Sequence, residues 1–277
     1  MPSAKLKIAI LDMYDNHPNE GMRCIKQLIA DFFVQEKVQG RFDLFNVRAK
    51  NEFPGLDYDI YISTGGPGSP LPEGAPWEKP YFSLIEQLFA HNRQEEKKKY
   101  LFLICHSFQM VVHHLQLAEV NKRKSTSFGV MPVHRTGDGF DEAYFQGLPE
   151  PFYVVDSRDY QVVKPNMKRI QALGAQVLSL EKIRPHIALE RAVMAIRFSD
   201  EIFGTQFHPE ADSEGMLHYF LTEEKKEIVI KNHGESKYYE MIERLDDPEK
   251  IMLTETIIIP RFLQTAAANL LEPQLTF

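Results

Sequence analysis

Cys105, His208 and Glu210 are the side-chain types that nucleophilic catalysis at a carbonyl group requires. A cysteine thiolate attacks the carbonyl carbon, a histidine moves the proton, and a carboxylate orients the imidazole and stabilises its charge. Pro209 separates the histidine from the glutamate and holds the two side chains in a set relation. The sequence therefore predicts attack of the Cys105 thiolate on a carbonyl group, with His208 passing the proton to a leaving amine.

The residues around Cys105 favour a reactive thiolate. The run Tyr100–Ile104 is apolar enough for a buried strand, and Ser107 to Leu117 has the composition of a helix. A cysteine on the sharp turn between a strand and a helix is lifted from the sheet edge, and the N–H groups of the following helix face it. That field favours the thiolate form of a cysteine.

A glycine loop is the expected source of an oxyanion hole. Gly65-Gly-Pro-Gly68 follows the apolar run Tyr58–Thr64, which we interpret as a strand. Main-chain N–H groups of this loop, together with that of His106, are positioned to bind the negative oxygen that forms during attack.

Alternating strand and helix patterns predict the scaffold that holds these groups. Strands are expected at 7–11, 42–47, 58–64 and 100–104, and helices from Asn19 or Glu20, at 80–92 and at 107–117. This order is typical of a doubly wound, mainly parallel α/β sheet with helices on both faces, as in flavodoxin-like folds. Sites in such sheets form at the carboxyl ends of the strands, where the glycine loop, Cys105 and His208 all fall.

The second half of the chain has a different pattern. Short strand candidates occur at 125–133, 152–155, 160–163, 187–190, 193–198 and 202–207, with a short helix around 167–173. We expect these strands to add an antiparallel part to the sheet. Residues 211–277 are charged and helical, with solvated helices near 223–227 and 236–244 and an amphipathic helix at 253–271 that Pro260 interrupts. We interpret residues 1–277 as a single domain with 211–277 as its helical extension.

Net charge, cysteine content and hydrophobic patterning limit the functions that the protein could have. The formal net charge is −7, which argues against a nucleic-acid partner. The two cysteines, Cys24 and Cys105, suffice for neither a disulfide framework nor a zinc site, and we expect no metal and no cofactor. No signal peptide or membrane span is recognisable, so we predict no membrane partner and a cytoplasmic location.

Three motifs together resemble the class I (triad) glutamine amidotransferases. They are Ile62-Ser-Thr-Gly-Gly-Pro-Gly-Ser-Pro70, the elbow Ile104-Cys105 with Gln109 four residues later, and Gly204-Thr-Gln-Phe-His-Pro-Glu210. The similarity spans residues 7 to about 212 and is greatest to the stand-alone GMP synthase-like amidotransferases. It implies that glutamine forms a γ-glutamyl thioester on Cys105 and releases ammonia for a separate synthetase subunit.

The resemblance also implies roles for further residues. The main chains at Gly66 and His106 would form the oxyanion hole. Gln109 and the main chains at Ser157 and Arg158 would hold the α-amino and carboxylate groups of glutamine or of another γ-glutamyl small molecule.

The chain departs from the family pattern in several places, including three positions at the expected site. Leu103 and Ser107 replace the glycines that flank the elbow, and Arg158 replaces the usual histidine. Three hypotheses remain open. The protein is a glutaminase that feeds ammonia to a separate synthetase, a stand-alone γ-glutamyl hydrolase in which Arg158 recognises an extra carboxylate, or a catalytically silent binding or regulatory module.

Overall fold

A nine-stranded sheet forms the centre of the computed structural model. The structure describes residues 5–186, 189–221, 223, 226–227, 230–231, 234–246 and 248–271. The strand order is β2-β1-β3-β4-β9-β8-β7-β5-β6. The strands are β1 (Leu6–Asp12), β2 (Gly40–Asn46), β3 (Ile60–Ser63), β4 (Tyr100–Ile104), β5 (Glu119–Arg135), β6 (Phe152–Val163), β7 (Gln176–Glu181), β8 (Val193–Arg197) and β9 (Ile202–Thr205).

The parallel half confirms the predicted doubly wound fold. Strands β2, β1, β3, β4 and β9 run parallel to one another, with Cys105 following β4 and His208 following β9. The helices in and beside this half are α1 (Glu20–Gln35), the one-turn α2 (Val47–Lys50), α3 (Glu78–Gln94) and α4 (His106–His114). Asn19 caps α1 because its side chain accepts a hydrogen bond from the N–H of Met22.

Alternating side chains of the central strands fill two cores, one on each face of the sheet. On β4, Phe102 packs with α1 and the C-terminal helix, whereas Leu101 and Leu103 pack with α3 and α4. Because successive strand residues face opposite sides, an uninterrupted apolar run is what a strand covered on both faces requires. The carboxyl ends of these strands are thereby held rigidly at one edge.

The second half of the chain adds antiparallel strands to the sheet, as predicted, but the bounds of several strands differ from the prediction. The two strands expected at 152–155 and 160–163 are one strand, β6, which pairs with the long β5. Strand β7 was not predicted. It is defined by its pairing with β5 and β8, which the local sequence of residues 176–181 does not reveal. The strand expected at 187–190 was wrong for residues 189–190, which are irregular, and residues 187–188 lie outside the described part. The short helices here are α5 (Gly137–Phe140) and α6 (Met167–Leu173), of which α6 was expected, and a 3₁₀ turn spans Ala143–Phe145.

In the described residues of the C-terminal region, helices with defined bounds are α7 (Ser213–Phe220), α8 (Glu235–Asp246) and α9 (Pro248–Leu271). Helix α9 continues through Pro260, so the predicted interruption was wrong. Ile258, Ile259 and Phe262 are fully buried against the sheet, and this packing offsets the one main-chain hydrogen bond that proline removes. The helix expected near 223–227 lies partly outside the described residues. Across the described chain, every helix is too short or too polar to cross a membrane.

Candidate functional site

Cys105 occupies a strained turn between β4 and α4. Its φ of 46° lies in the left-handed region, which a non-glycine residue adopts only at a cost. The N–H of Cys105 donates to the carbonyl of Thr205 at 2.8 Å, so the elbow is tied to the end of β9. The thiol contacts the carbonyl oxygen of Ser157 at 3.7 Å. The sequence therefore forms the predicted elbow, although glycine is absent from both of its flanks.

Glu210 orients the imidazole of His208. The two side chains meet at 2.8 Å between Nδ1 and Oε1, and Glu210 is fully buried. The main chain of His208 is fixed by an antiparallel bridge to Val155 on β6. Burial alone would lower the pKa of His208, but the charges of Glu210 and Cys105 raise that pKa well above its ordinary value. The ring is thus prepared to hold a proton beside the sulfur.

The glycine loop after β3 lies against both the histidine and β1. A β-carbon on Gly65 would lie 2.8 Å from Cε1 of His208, and one on Gly66 would lie 2.3 Å from the carbonyl oxygen of Met13. A side chain at either position would displace the neighbouring group, so glycine permits the close approach. Gly66 and Gly68 of this loop line the same pocket as Cys105.

One pocket joins all the residues that the sequence suggested. It has a volume of ≈ 370 Å³. Its walls include every predicted site residue, namely Gly66, Cys105, His106, Gln109, Ser157, Arg158, His208 and Glu210. Gln109 is buried in its floor, where its amide donates to the carbonyl of Tyr160 at 3.1 Å and to Oε1 of Gln206 at 3.1 Å.

The guanidinium group of Arg158 belongs to a buried ionic network behind the pocket wall. Its side chain is 1% exposed, and it pairs with Asp156 at 2.9 Å and with Glu181 at 3.5 Å. Asp156 also accepts a hydrogen bond from Ser127 at 2.6 Å, and Arg123 approaches Glu181 to 3.2 Å. The charge of Arg158 is therefore compensated inside the protein.

The two residues that replace the elbow glycines are both accommodated. The side chain of Leu103 is fully buried, and its strand neighbour is Gly204, which leaves room beside it. The hydroxyl of Ser107 donates to the carbonyl of Thr64 at 2.6 Å and lies 2.7 Å from the hydroxyl of Ser63. These contacts fix α4 to the end of β3 and keep the elbow in place.

Four residues near the site were missed by sequence reasoning. Tyr14 and Asp159 line the pocket, Gln206 donates to the sulfur of Cys105 at 3.8 Å, and Arg48 contacts the glycine loop. Gln206 lies inside a motif already quoted and could have been suspected. Asp159 directly follows the predicted Ser157 and Arg158 and could have been suspected as well. Tyr14 and Arg48 acquire their positions only through tertiary contacts, so no local signal identifies them. Within the described residues, no group of three or more His, Cys, Asp or Glu side chains could hold a metal ion.

Comparison with known proteins agrees with this arrangement. The profile of the family "Glutamine amidotransferase class-I" matches residues 22–228, and the chain therefore belongs to this family. No curated protein matches the sequence.

Solved structures share the fold at low sequence identity. A glutamine amidotransferase from Thermotoga maritima is 17% identical, with a TM-score of 0.65 over 98% of this chain and 100% of that one. A glutamine amido transferase from Methylobacillus flagellatus is 14% identical, with a TM-score of 0.62 over 97% and 94%. The glutaminase domain of Trypanosoma brucei CTPS is 15% identical, with a TM-score of 0.54 over 76% and 89%.

Proposed function

We propose that the protein hydrolyses the side-chain amide of glutamine through a thioester on Cys105 and releases ammonia for a separate synthetase. The observation that carries this proposal is the convergence of three groups in one pocket. A cysteine on a strained elbow, the His208–Glu210 pair and a glycine loop all line it. The proposal assumes a reducing, cytoplasmic location, because an oxidised Cys105 could not attack.

The first half-reaction forms the thioester. The thiolate of Cys105 attacks the amide carbon, and the carbonyl electron pair moves onto oxygen. The main-chain N–H groups of Gly66 and His106 stabilise that oxygen. Protonated His208 then donates its proton to the leaving nitrogen, the C–N bond breaks, and ammonia departs. The raised pKa of His208 suits this step, since the ring carries its proton into the attack.

The second half-reaction regenerates the enzyme. His208 is neutral after ammonia leaves and takes a proton from water as the water attacks the thioester carbon. The C–S bond then breaks, glutamate leaves, and the thiolate–imidazolium pair returns. Glu210 keeps the Nδ1 nitrogen engaged throughout, so Nε2 remains the nitrogen that exchanges protons with substrate.

The charges of the pocket support an amino-acid substrate without an additional carboxylate. Arg158 is the lone arginine or lysine among the described lining residues, and its charge is already paired. Asp159 also lines the pocket and accepts a hydrogen bond from the hydroxyl of Thr126 at 2.5 Å. Its carboxylate is suited to the α-ammonium group of glutamine. This pattern counts against the alternative of a γ-glutamyl hydrolase that uses Arg158 to bind a second acid.

Covalent labelling tests the proposal directly. The glutamine-like electrophile 6-diazo-5-oxo-norleucine should add once to the wild type and not to Cys105→Ala, as read by intact mass. Cys24→Ala is the matched control, because Cys24 also lines the pocket but burial raises the pKa of its thiol to about 12. This control should label like the wild type and release ammonia from glutamine at the same rate.

Two outcomes would contradict the proposal. Absence of the adduct while iodoacetamide still alkylates Cys105 would show that the pocket does not accept glutamine. Resistance of Cys105 to both reagents would favour a silent binding module.

A further inference from the structure

Arg48 lies beside the glycine loop without lining the pocket. It is carried by α2, whose first turn is capped by the Asn46 side chain, which accepts a hydrogen bond from the N–H of Ala49. The helix follows directly from β2, the edge strand next to β1. The Arg48 side chain is only 15% exposed. A short capped helix therefore brings one largely buried cation to the back of the proposed oxyanion hole.

The guanidinium group ties two main-chain segments together. Nη1 of Arg48 donates to the carbonyl of Pro67 at 2.6 Å and to the carbonyl of Met13 at 3.2 Å. The same nitrogen would lie 3.3 Å from a β-carbon placed on Gly66. A charged donor forms stronger hydrogen bonds than a neutral one, so these contacts resist rotation of the loop peptides.

Peptide planarity converts these contacts into an orientation of N–H groups. In a trans peptide the C=O and N–H bonds point in opposite directions. Holding the carbonyl of Pro67 on Arg48 therefore turns the N–H of Gly68 to the other side. The hydroxyl of Thr64 does the same two peptides earlier, since it donates to the carbonyl of Gly65 at 2.8 Å and so orients the N–H of Gly66.

We propose that Arg48 is a positioning residue that fixes the glycine loop in the conformation that presents its N–H groups to the substrate oxygen. Gly66 and Gly68 both line the pocket, whereas the carbonyls of Met13 and Pro67 face Arg48. This inference rests on the proposed amide hydrolysis and adds a residue whose side chain does not touch the substrate.

Two neighbouring side chains help to fix the position of the Arg48 guanidinium group. It lies over the ring of Trp77 at 5.5 Å from the centroid, and its other terminal nitrogen is 3.8 Å from a carboxylate oxygen of Asp15. The cation also contributes, after burial, to the lowered pKa of His106. A fixed positive charge thus lies close to the glycine loop and to the elbow, the two segments that are expected to supply the oxyanion donors.

The test separates transition-state stabilisation from binding. In Arg48→Ala the carbonyls of Pro67 and Met13 lose their charged donor and the loop is less tightly held, so we expect kcat for glutamine to fall by about 10- to 100-fold, with KM within about threefold. Alkylation of Cys105 by iodoacetamide needs no oxyanion hole and should stay within about twofold of the wild-type rate. Methylguanidine added to this variant should restore part of kcat, and Arg48→Lys should be intermediate. Arg41→Ala removes an exposed arginine of β2 and is the matched control.

The outcomes divide clearly. Wild-type turnover with an unchanged kcat in Arg48→Ala would overturn the positioning role and leave the proposed function intact. A rise in KM with kcat unchanged would also overturn it, because it would indicate a substrate-binding role. If Arg48→Ala does not fold, Arg48→Lys decides by the same criteria. Absence of wild-type turnover and of the diazo-oxo-norleucine adduct would refute the proposed function itself.

Discussion

The imidazole of His106 should make the protein sensitive to acid. Burial, followed by the nearby charge of Arg48, lowers the pKa of His106 from 6.5 to about 3. His106 is 2% exposed, and its Nε2 atom has no hydrogen-bond partner within the described structure. The folded state therefore excludes a proton that the unfolded chain accepts below pH 6.5.

The sign and size of the effect follow from linkage. Because the pKa is lower in the folded state, the unfolded state binds more protons between pH 6.5 and about 3, and stability falls as pH falls through this window. At pH 7 the unfolded histidine is mostly neutral, so the effect there is small. At pH 5 it amounts to about 2 kcal/mol of lost unfolding free energy, at roughly 1.4 kcal/mol per pH unit.

Urea unfolding of the wild type and of His106→Met at pH 7 and pH 5 measures this loss. Methionine approximates the volume of the ring and carries no titratable group. From pH 7 to pH 5 the wild type should lose about 2 kcal/mol more unfolding free energy than the variant does. Equal denaturant slopes would show that the two proteins unfold in the same way. Parallel behaviour within about 0.5 kcal/mol would refute the reasoning, since it would mean that the folded protein admits the proton.

Three further predictions concern the elbow and the groups around it. Glu210→Gln removes the negative charge that raises the pKa of His208, so the alkaline limb of the kcat–pH profile should move to lower pH and kcat should fall at least about tenfold; an unmoved limb would contradict the pairing. Gly66→Ala places a β-carbon 2.3 Å from a main-chain carbonyl, and kcat should fall by about 100-fold while circular dichroism stays native; full activity would show that the loop is not part of the site. Ser107→Ala removes two buried hydrogen-bonding contacts and should cost roughly 1–3 kcal/mol of unfolding free energy, measured by urea denaturation; an unchanged midpoint would show that the serine does not hold the elbow.

Local patterns were sufficient to predict the parallel half of the fold. The apolar run of β4 is buried on both faces, so its type and length are legible without knowledge of its neighbours. The elbow at Cys105 and the histidine after β9 each follow such a strand, and parallel strands end at one edge. Their convergence could therefore be inferred before any contact was known. The single-domain interpretation stays a prediction.

Long-range pairing accounts for what local patterns missed. Strand β7 lies between β5 and β8, and its antiparallel partner β5 is separated from it in the chain by β6 and α6. Arg48 is a second case, because the two carbonyls that it holds belong to residues 35 and 19 positions away. Neither β7 nor Arg48 lies in a recognisable motif. A residue that acts by orienting main-chain groups far away in the sequence is not part of a sequence pattern, so it cannot be recognised from the sequence alone.

The ionic network behind the pocket makes position 158 dependent on its surroundings. Arg158 compensates Asp156 and contributes to the compensation of Glu181, and removing one partner of a buried pair leaves an unpaired charge that costs several kcal/mol. The histidine usual in the family could therefore be introduced here only together with changes at those carboxylates. Substitutions at these three positions should be strongly epistatic, so this wall of the pocket can diversify only through coordinated replacements.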